Sequence, residues 1–573
     1  MHSKGVFAST NKRKKKVSDL ATASDNVNIL ASVENLKLKR EQAYIDGIDV
    51  NADGTISVTA SKPKSLEEIK KEFANANVIP ILKDYISNCQ TLDEYNQLVR
   101  IFQIKKQKNI QYLAQLNTPE DKVIFKQLME IQKDNPSLNV IDSLKFYITR
   151  KNTPAMLEYY KNVIELVKDG KLDANMLDMY AGSVLDARVS ADVELLMKAK
   201  KENLTQQQVK DLYIPNIEKL TIENIKNIKN GEVFEHNGQL LIKTDNNKVS
   251  NLSISKDTYF ELFQPGYYIK QRAAGKCYLY STIISALENP TEKAKMINQC
   301  FKEQNGILNV HMPNSKVSID VDLKNIDDSI KSNLYYSKGN RGVNLLEQAF
   351  EKHEVYEQSQ KMISFLQTKI SDPNSDIDME KAMVILDDLT KNPATPHYVL
   401  KNQDALNFDK EFDFEDIIHI EDAKNEKNVH SMLANPQDLN NPELFYGVFE
   451  GNAGHTAKVF NFGISPYGSQ LSYNKILLNN ENTGKQQVLD SHLVQFKDLI
   501  MTAATRKKSD GQIESLMNAD LGILSSHSYA CSLKIINEKP YMKVINPHNS
   551  SSPLLLNLET FRKLFYSITV NNV

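Results

Sequence analysis

Cys277 is the one of four cysteines set where a thiol can attack a carbonyl group. It closes the stretch Gln271-Arg-Ala-Ala-Gly275-Lys-Cys277, and Leu279, Ile283, Ala286 and Leu287 follow at helical spacing, which predicts a buried helix beginning at the cysteine. A thiol there meets the positive end of the helix dipole, and the adjacent Lys276 adds a cation. Both favour a thiolate. Gln271 stands six residues earlier, and a turn at Gly275 can bring its side-chain amide beside the Cys277 backbone N–H, giving two donors for an oxyanion. Losing one such donor typically costs about 100- to 1,000-fold in turnover. A thiol nucleophile also needs a base. Of eleven histidines the best placed is His527, at the mouth of an alternating pattern that predicts a strand. Asn546 ends a second predicted strand, Tyr541 to Ile545, joined to the first by the turn Asn537-Glu538-Lys539-Pro540. Its carbonyl oxygen can then fix one imidazole nitrogen and leave the other to take the thiol proton.

Each residue also has a plain structural reading. Cys89, Cys300 and Cys531 read as buried apolar thiols. Alone, Cys277 would read the same way, a strand histidine as a satisfied polar group, and Asn-Pro as a turn. Gln, Cys, His and Asn in this order and these settings favour chemistry. Gly275-Lys276 is not a phosphate loop, because Cys277 follows where Ser or Thr is required.

The elements that must position these residues fall in three stretches. Residues 1–62 are polar and read as a flexible N-terminal region with a short strand; Asp49, Asn51, Asp53 and Gly54 begin like a calcium loop, but Ala60 stands where the bidentate Glu belongs, so an Asp/Gly turn is expected. Residues 63–230 read as an all-α domain. Its helices open at Ser65 with Glu68, Thr91 with Glu94, Thr118 with Pro119, Thr153 with Pro154 and Thr205 with Gln208. A protein partner or substrate is its natural ligand. From 231 a new domain begins, marked by a hairpin at His236-Asn237-Gly238.

The whole chain narrows the classes. With 573 residues it has room for roughly three to four domains. Lys plus Arg number 70 against 72 Asp plus Glu, so nothing in the charge balance calls for nucleic acid. The basic run Lys12 to Lys16 reads as solvated charge. Four scattered cysteines without a CxxC pair fit neither a disulfide framework nor a thiolate zinc site, and a reducing, cytosol-like compartment is expected. No apolar segment follows the basic N-terminus, and no stretch is long enough to span a membrane.

At these motifs the chain resembles the calpain branch of papain-like cysteine proteases, particularly bacterial members. Leu252 to Phe263 is similar to the family's lead-in to the cysteine loop, and Val343-Asn-Leu-Leu-Glu-Gln-Ala-Phe350 to its Leu-Leu-Glu-Lys-Ala-Tyr helix. His527-Ser-Tyr529 sits where the family has His-Ala-Tyr, Asn546-Pro547 where it has Asn-Pro-Trp, and Phe561 to Val570 resembles its closing helix and strand. The resemblance covers about 250–573. It implies an α+β, two-lobed papain-like fold, with Cys277 on a helical lobe and His527 and Asn546 on an antiparallel β lobe. It also implies an endopeptidase working through a thioester, with Cys277, His527, Asn546 and Gln271 as catalytic residues and a protein as substrate. No cofactor or metal is implied, and calcium dependence is not expected. The same constellation can perform deamidation or acyl transfer, and an inactive protease fold serving as an interaction module is a third reading. His527 follows Cys277 by 250 residues, whereas the papain pattern needs about 130 to 150. An insertion at about 353–440 accounts for the excess. Lys276 stands where calpains usually carry Asp, Tyr278 where Trp is common, and His548 where a Trp would shield the Asn and His pair, so a wetter His527–Asn546 bond is expected.

Overall fold

The computed structural model describes residues 65–98, 113–180 and 187–400 with short interruptions, then 412–419, 474–477, 500–505 and 523–571, and a two-strand pairing of 49–50 with 56–57. The basic run 12–16, the turn residues 51–55, Gly275 and most of the insertion beyond 419 lie outside the described residues. The chain divides into two compact units, Met1–Val184 and Leu185–Val573.

The first unit is helical, with helices at Leu66–Asn75, Pro80–Asn88, Pro119–Asp134 and Pro154–Lys168. Their starts follow from local chemistry: Ser65 exchanges hydrogen bonds with Glu68, and Thr118 forms a reciprocal capping box with Asp121 ahead of Pro119. Inside, Leu98, Leu128, Leu144, Val163 and Leu166 are fully buried.

The second unit is α+β with antiparallel sheets. It opens with helices Ala187–Lys201, Gln206–Tyr213 and Ile222–Asn227, so the last part of the helical stretch folds with the C-terminal unit. The hairpin at Asn237-Gly238 is present. Both residues have positive φ, which an Asn-Gly pair tolerates, and Val233–His236 pairs with Gln239–Asp245.

Helix α1, Cys277–Glu288, is buried from Tyr278 to Ala286. Helix α2, Arg341–Ser371, is one unbroken element across the expected start of the insertion at about 353. Its first half joins α1 in a core that includes Leu279, Ile283, Leu346 and Phe350; its second half packs on the helix Met379–Lys391 and the hairpin of Tyr398–Leu400 with Ile417–His419.

A six-stranded antiparallel sheet completes the unit, formed by β1 (Asn474–Leu477), β2 (Ile500–Thr505), β3 (Ser528–Ile536), β4 (Lys539–Asn546), β5 (Asn549–Asn557) and β6 (Phe565–Asn571), in the order β1-β6-β2-β3-β4-β5. Alternation divides β3 between two cores: Ala530 faces the α1 cluster, whereas Tyr529, Cys531 and Leu533 join Phe561 and Phe565 in a second one. The β3–β4 turn is tighter than the sequence implied. Asn537 and Glu538 alone turn the chain, both at positive φ, and β4 begins at Lys539.

Candidate active site

Cys277 is the first residue of α1, and Lys276 is its N-cap residue. Positions 277, 281 and 285 lie one above another on the helix. Ser281 Oγ hydrogen-bonds Ser528 Oγ at 2.8 Å, and Ser285 Oγ donates to the Met501 carbonyl at 2.6 Å. The row begun by Cys277 therefore runs along the sheet, and its first tie is to the residue after His527. Burial raises the Tyr529 hydroxyl pKa, the bond with the Leu524 N–H lowers it, and the charge of Cys277 adds to the rise.

His527 precedes β3 and is held by its backbone. Its N–H donates to Thr505 Oγ1 at 2.9 Å, and its carbonyl accepts from the Thr505 N–H at 3.0 Å. Asn546 closes β4. Ala530 pairs with Ile545, and continuing that register brings His527 opposite His548. The two rings stack with centroids 4.9 Å apart and planes 13° apart, and Tyr529 meets the His527 ring edge-on.

One backbone group fixes the protonation pattern. The His548 N–H points at Asn546 Oδ1 at 3.0 Å, so that atom must be the amide oxygen, an acceptor. The same oxygen lies 3.0 Å from His527 Nε2, which must then carry the hydrogen and donate. Nδ1 is left as the basic nitrogen. Burial first, then the neighbouring His548, pushes the His527 pKa down to about 4, against the bond to Asn546, which raises it. At neutral pH the ring is a neutral base.

The linkage has a definite sign. Because the folded-state pKa lies below the unfolded value of 6.5, this histidine costs nothing above pH 6.5, and stability falls as pH drops from 6.5 to about 4, where the unfolded chain takes up the proton first. The difference amounts to about 3 kcal/mol. In urea unfolding at pH 7 and pH 4.5, His527→Gln is expected to lose less stability on acidification than wild type. Equal losses would refute the burial of an uncharged ring.

Gln271 is 4% exposed, and its backbone is held by the turn between β4 and β5: its N–H donates to the Pro547 carbonyl at 2.9 Å, and His548 Nδ1 donates to its carbonyl at 3.1 Å. Two residues earlier, Ser550 Oγ accepts from the Ile269 N–H and donates to the Ile269 carbonyl. Residues 272–275 between Gln271 and Lys276 are outside the described residues.

Two expectations need correction. The Lys276 ammonium, 2% exposed, is bound by Glu347 Oε1 at 2.8 Å and by Glu351, so two carboxylates meet the charge expected to favour a thiolate. The wetter histidine and asparagine pair holds on one side only: His527 is 8% exposed, with the His548 ring stacked on it, whereas its bond to Asn546 is partly buried.

The other thiols differ from Cys277. Cys89, Cys300 and Cys531 are buried, and burial raises each pKa, to about 11 for Cys89, whereas Cys277 is partly accessible. Sequence reasoning missed the Ser281–Ser528 tie, the Thr505 clasp and the Glu347/Glu351 pair. Serines four and eight residues after Cys277, and carboxylates four apart among the apolar positions of a predicted helix, were the available signals. Among the described residues no helix is long and apolar enough to cross a membrane. Compared with known proteins, the chain matches no family model, no curated protein and no solved structure.

Proposed function

We propose that the C-terminal unit is a papain-like cysteine protease domain of calpain type, which hydrolyses peptide bonds in protein substrates. The observation that carries this reading is the Asn546 amide oxygen, whose orientation is set by the His548 N–H and which leaves His527 Nδ1 as the base on a strand tied to the helix that Cys277 begins. Resemblance of the Gln271–Cys277, His527–Tyr529 and Asn546-Pro547 motifs to that family agrees with it.

His527 Nδ1 takes the thiol proton as Cys277 Sγ bonds to the carbonyl carbon of the substrate. Negative charge on the carbonyl oxygen is met by the Gln271 side-chain amide and by the Cys277 N–H, the latter at the head of α1, where the helix dipole adds to it. The C–N bond then breaks, and the imidazolium gives its proton to the departing amine, leaving a thioester. Water, deprotonated by the same Nδ1, attacks that thioester, and the thiol regains the proton as the acid leaves.

The test compares new protein N-termini produced by wild type and Cys277→Ala, together with iodoacetamide labelling of the purified chain. Cleavage is expected to vanish in Cys277→Ala, and His527→Ala is expected to lower it by about 100- to 10,000-fold. Labelling is expected at Cys277 ahead of the other three cysteines. Cleavage that persists in Cys277→Ala would overturn the assignment. Selective labelling without new N-termini would redirect it to deamidation or acyl transfer, and unselective labelling to an inactive fold.

A further inference from the structure

We propose that His548 is a positioning residue that ties the two halves of this site together, its imidazole N–H holding the Gln271 backbone while its ring covers His527. The inference rests on Cys277 and His527 as nucleophile and base, and goes beyond that reading by giving the residue after Asn546-Pro547 two separable jobs.

Three contacts of one residue carry it. The His548 backbone N–H orients Asn546, a task any non-proline residue performs. The side chain does the rest: Nδ1 donates to the Gln271 carbonyl at 3.1 Å, and the ring lies nearly parallel on His527. A carbonyl only accepts, so His548 must hold the Nδ1–H tautomer, opposite to the Nε2–H tautomer of its neighbour. Gln271 is thus held on both sides, by Pro547 through its N–H and by His548 through its carbonyl. The placement of an oxyanion donor then depends on the same residue that keeps water from the base.

Among the described residues, the titratable and charged groups facing His548 are His527, stacked on it from the start of β3, and Lys270, on the Ile269–Lys270 strand. Burial, then Lys270, lowers the His548 pKa, although the bond to Gln271 raises it. The ring therefore stays neutral at neutral pH, and it opposes protonation of His527 only where it carries a charge itself.

Two variants of the full chain separate the jobs. His548→Phe keeps a flat ring and loses the donor; His548→Asn keeps an N–H donor at the corresponding position and loses the ring. Hydrogen exchange of 269–271 reads the tether, and the rate of Cys277 alkylation by iodoacetamide at pH 7 reads the cover. In His548→Phe, exchange is expected to quicken about tenfold, which is what losing one neutral hydrogen bond permits. In His548→Asn, exchange is expected to stay within about twofold of wild type. Alkylation is expected to rise instead, by about tenfold for each unit that the wetted His527 recovers, because a more basic His527 increases the thiolate–imidazolium population. Both readouts moving together in both variants, or neither moving in either, overturns the proposal.

Histidine NMR of the wild type tests it without a variant: an Nε2–H tautomer at His548 would refute the tether. Failure of the catalytic reading looks different. Cys277 alkylation would then not depend on His527, while the exchange and tautomer results would still decide the role of His548.

Discussion

Replacing Lys276 with Met is expected to destabilise the C-terminal unit by about 3 to 5 kcal/mol, the range for removing one partner of a buried ion pair. The Lys276 ammonium is bonded to two carboxylates on α2, Glu347 and Glu351. All three side chains are almost completely buried. Glu347 is further fixed by the Tyr280 hydroxyl and by the N–H and hydroxyl of Ser337, bonds that suit a carboxylate. Burial first, then Glu347, raises the Tyr280 pKa, so this hydroxyl remains a donor. Methionine fills the space of the lysine stem but takes the ammonium away from two buried carboxylates. Urea unfolding at pH 7 measures the loss, and adding Glu347→Gln and Glu351→Gln to Lys276→Met is expected to recover much of it. A single variant as stable as wild type would show that the network does not hold α1 to α2. Because Cys277 follows Lys276 directly, the loosened variant is also expected to label less selectively at that thiol.

The parts of the site that were legible in the sequence are those set by local periodicity. Leu279, Ile283 and Ala286 repeat at helical spacing, and α1 starts at Cys277, where that spacing begins. Alternation after His527 and the turn before Lys539 likewise marked a hairpin, although the positive φ of Asn537 and Glu538 made it two residues tight. What remained hidden depends on pairing across long separations. Nothing near Lys276 announces that its partners stand more than seventy residues later, and the same lysine read alone suggests a free cation. His548 shows the converse. Its place after Asn546-Pro547 was read as the loss of a Trp, but register puts its ring on His527, and a flat ring of either kind can cover that face. Helical signals up to about 230 also could not say which unit each helix joins, since capping and periodicity describe a helix and not its neighbours.

Replacing Asn546 with Leu is expected to lower turnover by about 100- to 10,000-fold with little change in KM, the range that a positioned acid–base group supplies. Leucine is close in volume, so the loss is not a cavity effect. It deprives two partly buried donors of their shared acceptor: His527 Nε2–H and the His548 N–H. The imidazole is then free to rotate or to change tautomer, and Nδ1 need not be the unprotonated nitrogen. The hydrogen bond also raises the His527 pKa, so its removal drives that pKa further down and shrinks the thiolate–imidazolium population. Cys277 alkylation by iodoacetamide at neutral pH is therefore expected to slow in Asn546→Leu. Asn546→Asp should do the opposite, because a carboxylate accepts from both donors and its charge favours the imidazolium, raising alkylation and moving its acid limb to lower pH. Opposite signs in these two variants are a signature that packing alone cannot produce. If both slow alkylation equally, Asn546 fills space beside His527 and does not orient it.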